Sequence, residues 1–314
     1  MAQKRIQNII AESRWSLTIM SVCAIAVWSA VALTNIYVLP SLLCMLFSTF
    51  LMMELNNTNA LIRIYSRMVS CCYMAFTTMA TFQFISYRAA IIVLCIVGFY
   101  TCIFRCYQDF HSPGWTFYAF LCFGLSSIVW VQTFYFLPIL WILMATNLLA
   151  PSAKNYVSSL FGILLPNIVA IGVKLYLGDL QSIIDHFGNL IVFEKFFDYG
   201  ILSIGEIVTA LWVILCAIIG TTHFIRQKRS DSIRNRMLYG MFITINSAAI
   251  TSLFLQPQHY DALLGIMIAS TSPLLAHFIA LTHTKLTNFV FKLLLLGTIV
   301  IMVFNLINSL NFLR

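Results

Sequence analysis

The chain is built from apolar runs long enough to cross a bilayer, joined by connections too short to fold alone. A bilayer core takes about 20 apolar residues in helical form, and only helices that satisfy their own backbone suit lipid at that length. Such runs recur from Trp15 almost to the last residues. Composition agrees: 61% of residues are hydrophobic, 9% are charged and the mean hydropathy is +0.92, whereas a soluble protein carries about 25% charged residues. The longest non-spanning pieces, 178–200 and 222–236, are too small for a water-soluble domain. The sequence therefore reads as an all-α membrane protein with one polytopic domain over residues 1–314.

Spans are expected at roughly 15–34, 38–53, 68–86, 89–104, 115–129, 132–149, 157–177, 201–220, 238–255, 262–281 and 288–309. The run from Trp115 to Leu149 is too long for one ordinary span and barely enough for two. Taken as two, it gives a bundle of about 11 transmembrane helices, with the N-terminus cytoplasmic and the C-terminus periplasmic. Of the 18 Lys and Arg, all but Arg88, Lys174, Lys195 and Arg314 then face the cytoplasm, as the positive-inside rule demands. Taken as one, it would move the basic string Arg226–Arg236 outside and the acidic stretch Asp179–Asp198 inside. The first residues imitate a signal peptide, with Lys4, Arg5 and Arg14 ahead of an apolar run. That run, Trp15 to Leu33, is too long for a signal core and is followed by further spans, so it is expected as an uncleaved first helix.

The stretch at about 179–198 differs in kind. Leu180, Ile183, Ile184, Phe187, Leu190 and Ile191 recur at helical spacing on one face, opposite Asp179, Gln181, Asp185, His186 and Asn189. This pattern predicts an amphipathic helix lying in the outer interface, either roofing a cavity or serving as a plain connector. Pro138, Pro166 and Pro273 fall inside predicted spans. Such breaks build binding sites in transporters or act as simple kinks. No inverted repeat is visible.

Charges at membrane depth cost about 2.5–3.5 kcal/mol each on insertion scales, and few are present. Lys174 and Glu206 fall at similar depth near the outer face, which predicts either an ion pair or a shared polar cavity. Arg88 is a candidate phosphate holder on the same face. Arg63 and Arg67, one turn apart at a helix start, are candidates for holding a phosphate or anionic lipid head group. These five are the substrate-binding candidates. Asn246, Asn305, Asn308 and Asn311 are expected to bond between helices.

No catalytic signature is recognisable. Phosphate-binding glycine loops, G-x-S-x-G and H-E-x-x-H are all missing. The acids Asp179, Asp185, Glu194, Asp198 and Asp261 carry no motif. The nine cysteines lie mostly in apolar runs without a C-x-x-C, as small core residues do. Neither a metal nor another cofactor is expected. The basic residues are scattered rather than gathered into a groove, which argues against nucleic acid.

Three strings, Glu54-Leu-Asn-Asn with Ala60-Leu-Ile-Arg63 and Ser66-Arg67, Ser112 to Phe120 with Gly124 to Ser127, and Ser158 to Pro166, resemble a family of polytopic inner-membrane proteins of Bacteroidota classed as a domain of unknown function. The likeness spans about the first two thirds of the chain. It implies a location in the bacterial inner membrane and carries no activity or site residue with it. Three functions are then open. The chain is a carrier or accessory subunit for a lipid or lipid-linked cell-envelope precursor. Alternatively it is an integral membrane glycosyl- or phospho-transferase acting on such a lipid, or a non-catalytic scaffold for other envelope proteins.

Overall fold

A computed structural model describes residues 5–33, 35–193 and 195–312, with side chains through 309. Lys4, Glu194 and Arg314, and the side chain of Asn311, lie outside the described residues. Thirteen α-helices and no strand occur among the described residues. They are α1 (Ile6–Glu12), α2 (Ser16–Ala32), α3 (Leu39–Asn59), α4 (Met68–Met79), α5 (Tyr87–Ile103), α6 (Pro113–Val129) and α7 (Leu137–Thr146). After them come α8 (Ala153–Tyr176), α9 (Leu180–Gly188), α10 (Ile204–Gln227), α11 (Ile233–Leu255), α12 (Tyr260–Leu281) and α13 (Lys285–Phe312). Among the described residues, seven helical segments are long and apolar enough to cross a membrane, or eight if α1 and α2, bent by 89°, count as one. The chain is a multi-pass membrane protein.

Local sequence explains where helices begin. Ser203 and Glu206 form a capping box at the start of α10, while Ser86, Asp179 and Ser232 cap α5, α9 and α11. Each cap satisfies a backbone N–H that has no partner within the helix. Proline stands in the first turn of α3, α6 and α7, where its missing N–H costs nothing. Pro138 thus opens a helix instead of interrupting one. The apolar run from Trp115 is divided at Trp130, which is extended and leads through a 3-10 turn (Val131–Phe136) into α7.

The bundle is arranged around α12. Every residue of that helix except Asp261 is buried, with α4, α5, α10 and α11 packed along it and α1 across its C-terminal end. α2 and α3 lie outside α4 and α5, α6 packs on α5, α8 on α6, and α13 on α4 and α10. The outermost helices leave wide apolar faces uncovered, including Phe161, Leu164 and Ile168 of α8 and Phe289, Leu296 and Val300 of α13. Continuous apolar faces of that size suit lipid, not water.

Because lipid gives no hydrophobic drive between helices, their association rests on close packing and hydrogen bonds. Gly124 and Gly162 bring α6 and α8 together: a Cβ on Gly162 would fall 2.6 Å from Phe117 O, and one on Gly124 would fall 2.7 Å from Pro166 Cγ. Asn167, next to that proline, donates to Ile163 O at 2.9 Å and Ser127 Oγ at 3.0 Å. Pro166 therefore lies inside a continuous helix, packed against Gly124. Gly220 does the same for α10 against Leu274 of α12. Asn246 donates to Thr271 Oγ1 at 3.0 Å, and Asn305 to Met79 O and Thr209 Oγ1 at 3.0 and 2.8 Å. These are interhelical bonds, as expected for Asn246 and Asn305, whereas Asn308 is exposed on α13.

The bundle has two unlike ends. At one, Gln7 and Asn8 of α1 bond to Ile279, Thr282 and His283. Here Arg234 reaches Asn59 and Phe104 O, and Arg63 reaches Ser230 O. This basic end also carries Arg226, Lys228 and Arg229. The other end holds the starts of α5, α10 and α12 and the segment that follows α9.

Replacing Gly162 with Val is expected to force α6 and α8 apart at a cost of about 1–3 kcal/mol, lowering the thermal unfolding midpoint in detergent. Gly172→Val on the same helix, where nothing lies within 4 Å, should leave the midpoint nearly unchanged. Equal losses for both would show that the α6–α8 approach is not tight.

Candidate functional site: paired cavities under an aromatic strap

At the end opposite the basic one, a cavity of about 310 Å³ opens between the starts of α5, α10 and α12 and the end of α6. Its wall carries Arg88, Glu206 and Asp261, with Ser86, Gln258, His259 and Tyr260. Glu206 is fixed by its own helix start: Oε2 accepts from Ser203 N at 2.7 Å and Ser203 Oγ at 2.8 Å. Tyr260 holds the same turn by donating to Glu206 O at 2.6 Å. Asp261 is the first acid of α12, where the helix dipole favours negative charge. Gln83 anchors the backbone there by donating to Asp261 O at 3.0 Å. The wall thus holds one cation and two carboxylates.

A second cavity of about 200 Å³ adjoins it, sharing Trp130 and His259 as a common wall. The Trp130 indole N–H donates to His259 Nδ1 at 3.3 Å, which fixes the partition. This second space is aromatic and mostly apolar, bounded by Tyr135, Phe136, Phe193, Phe196, Leu255 and Leu263. Phe193 stacks on Tyr135 with ring centres 6.0 Å apart, and Phe196 follows at 6.1 Å from Phe193.

The aromatic rings come from the segment after α9. The helix ends at Gly188, well short of the 198 that the spacing suggested. Gly188 and Asn189 are poor helix formers, and the following residues find partners outside any helix. Gln132 donates to Asn189 O, Tyr135 to Leu190 O, and Gln258 to Lys195 O. Phe197 N donates to Leu255 O at 3.2 Å, with Phe197 in the left-handed region at φ 59°, and Tyr199 donates to Phe254 O at 2.8 Å. The result is a strap tied to the 3-10 turn ahead of α7, to the end of α11 and to the turn ahead of α12, over the apolar cavity. α9 itself is pinned at two points: Lys174 donates to Ser182 Oγ at 2.8 Å, and His186 Nε2 meets Ser127 O at 3.0 Å.

The five sequence candidates separate. Arg88 and Glu206 share the polar cavity. Lys174 makes no ion pair with Glu206; it holds α9 while Glu206 caps α10. Arg63 and Arg67 sit at the basic end and do not converge: Arg63 pairs with Asp231 at 3.2 Å, and Arg67 Nε donates to Tyr65 Oη at 3.0 Å. Asp261, His259 and Trp130 were not tied to Arg88 by any sequence spacing, because they come from different helices. No group of three or more His, Cys, Asp or Glu able to hold a metal occurs among the described residues.

Burial holds the His186 imidazole below its ordinary value of 6.5, with Lys174 adding to the effect and the bond to Ser127 O opposing it. The folded chain therefore resists a proton that the unfolded chain accepts. The contribution of the buried neutral ring is full above about pH 6.5 and declines as pH falls below that value. His186→Gln is expected to lose less thermal stability than the parent chain between about pH 7.5 and about pH 5.5, and identical losses would contradict this account. Set against known proteins, the chain matches no family model, no curated protein and no solved structure.

Proposed function

We propose that the protein is a carrier or accessory subunit for an amphipathic lipid, of the kind that carries cell-envelope precursors, in a bacterial inner membrane. The observation that carries this reading is the pairing of a charged cavity with an aromatic one across the Trp130–His259 wall. An anionic head group suits Arg88, whose guanidinium offers bidentate bonds to phosphate or carboxylate. The lipid's apolar chain suits the space lined by Phe193, Phe196 and Phe136, which adjoins the head-group position.

The same reading makes the chain cross the membrane about 11 times, with the basic end cytoplasmic, the cavities on the periplasmic side and the α9–strap segment in the outer interface. Its support is threefold: the gathering of basic connections at one end, the strength of the α9 amphipathic pattern, and the bonding of α1 and of the last turns of α13 at opposite ends. Near the C-terminus, Thr81 and Ser309 hydroxyls meet at 2.9 Å on the cavity side.

A transferase acting on the same lipid is the second reading, favoured by two carboxylates, Glu206 and Asp261, in one cavity. Against it, Glu206 Oε2 already accepts two bonds from Ser203, which ties that carboxylate to a structural task.

Purification in mild detergent followed by native mass spectrometry tests the proposal. A retained anionic lipid is expected, and Arg88→Gln should cut its occupancy about tenfold, the loss of one charge-assisted hydrogen bond. A lipid-free chain, or retention indifferent to Arg88, would sink the reading. Asp261→Asn that keeps the lipid bound but stops its chemical conversion would establish the transferase. Reporter tags on the two termini should be found in opposite compartments.

A further inference from the structure

Far from the cavities, at the basic end of α12, four titratable side chains from four segments of the chain meet in series. Arg63 comes from the α3–α4 connection, Asp231 from the α10–α11 connection, His277 from α12 and His223 from α10. Arg63 Nε lies 3.2 Å from Asp231 Oδ1, with Arg63 Nη1 donating to Ser230 O at 3.2 Å. Asp231 Oδ2 lies 3.0 Å from His277 Nε2, and His277 Nδ1 lies 3.4 Å from His223 Nδ1. The side chains of Asp231 and His277 are 1% and 0% exposed, while His223 is half-buried. Tyr239 of α11 is the other titratable group against them. Its ring stands edge-on to His277 at 5.0 Å, and its hydroxyl is committed to Leu61 O and Pro273 O. Phe224 and Phe278 close the remaining sides.

The chemistry of these groups gives the series a direction. A carboxylate beside a guanidinium only accepts hydrogen bonds, so the contact with Asp231 requires Nε2–H on His277. The Nδ1 of a neutral His277 is then an acceptor, so the next contact requires Nδ1–H on His223. That leaves His223 Nε2 as a lone pair, and this buried atom has no hydrogen-bond partner. An unpaired acceptor at the terminal member of a directed series is a place for a proton to bond.

We propose that His223, His277 and Asp231 form a proton-binding site. An incoming proton bonds to His223 Nε2, the N–H at His223 Nδ1 breaks, and that proton forms an N–H at His277 Nδ1. His223 ends neutral with its proton on the other nitrogen. His277 ends as an imidazolium against Asp231, and one proton has been gained. The charge rests there because the carboxylate is in direct contact with His277 and one ring farther from His223, and attraction falls with distance in a poorly screened interior. The four groups pass from no net charge to one positive charge. Intramembrane His and Asp chains of this type serve proton relays in pumps and transporters. The site shares α12 with Asp261 of the polar cavity, about 24 Å away at 1.5 Å per residue. A carrier working against a gradient needs such a coupling ion, yet the proton site stands without the lipid reading.

The test is nitrogen-15 NMR of the full chain in lipid nanodiscs with labelled histidine, read from about pH 8 to about pH 5. Signals are assigned by their loss in His223→Gln and His277→Gln, and by His223→Gln alone if the other variant fails to fold. The expected result is that His277 passes from its Nε2–H form to imidazolium while His223 switches from Nδ1–H to Nε2–H. Asp231→Asn should abolish the His277 imidazolium over the same range. A doubly protonated His223 beside an unchanged His277 overturns the proposal, as does a pair of rings that both stay unchanged.

Discussion

A helix with no lipid-facing side imposes the central constraint on this molecule. α12 is wrapped on all sides, so each polar group it carries must find a partner within the protein, since an unsatisfied one costs several kcal/mol in a dry interior. Its middle turns show how this is met: Ser270 meets the Tyr100 hydroxyl, Thr271 the Asn246 amide, and Ser272 its own helix carbonyl. These bonds bind α5 and α11 to the axis and fix their rotation about it. Gly220 and Gly265 let α10 and α5 approach the same axis where a larger residue would collide. With the middle of α12 so occupied, its functional capacity is left to its two ends.

The two ends are solved differently. At the basic end, titratable groups are sealed in: Asp231 and His277 are all but inaccessible, and each has a partner. At the other end, Arg88, Glu206 and Asp261 line an open space. A buried carboxylate needs its counter-ion built into the protein, whereas charges around an open cavity can be completed by a ligand. That contrast is the ground for proposing a lipid at one end and a proton at the other.

Much of the architecture was legible in the residues. The apolar runs located the long helices, and Trp130 broke the one ambiguous run. Asn246 and Asn305 bonded between helices as intramembrane amides do. The extent of the amphipathic segment was less legible: apolar spacing continues through Ile191, but Gly188 ends the helix, and Asn189, Leu190 and Lys195 beyond it are held by tyrosine and glutamine partners from turns distant in the chain. For Lys174 and Glu206, depth alone suggested a pair, but depth carries no information on azimuth around the bundle or on local partners such as Ser182 and Ser203. The Asp231–His277 contact was hidden for the same reason. Asp231 stood in a basic connection that read as surface, and only the packing of α10, α11 and α12 encloses it.

The strap's attachments are mostly to main-chain oxygen: Asn189, Leu190, Lys195, Phe254 and Leu255 all accept through their carbonyls. Main-chain acceptors survive most side-chain changes. Substitution at Phe193 or Phe196 can therefore reshape the space below while the overlying cover stays anchored. On the lipid reading proposed above, ligand preference is thus free to drift by exchange of a few rings, with no need to rebuild the scaffold that holds them.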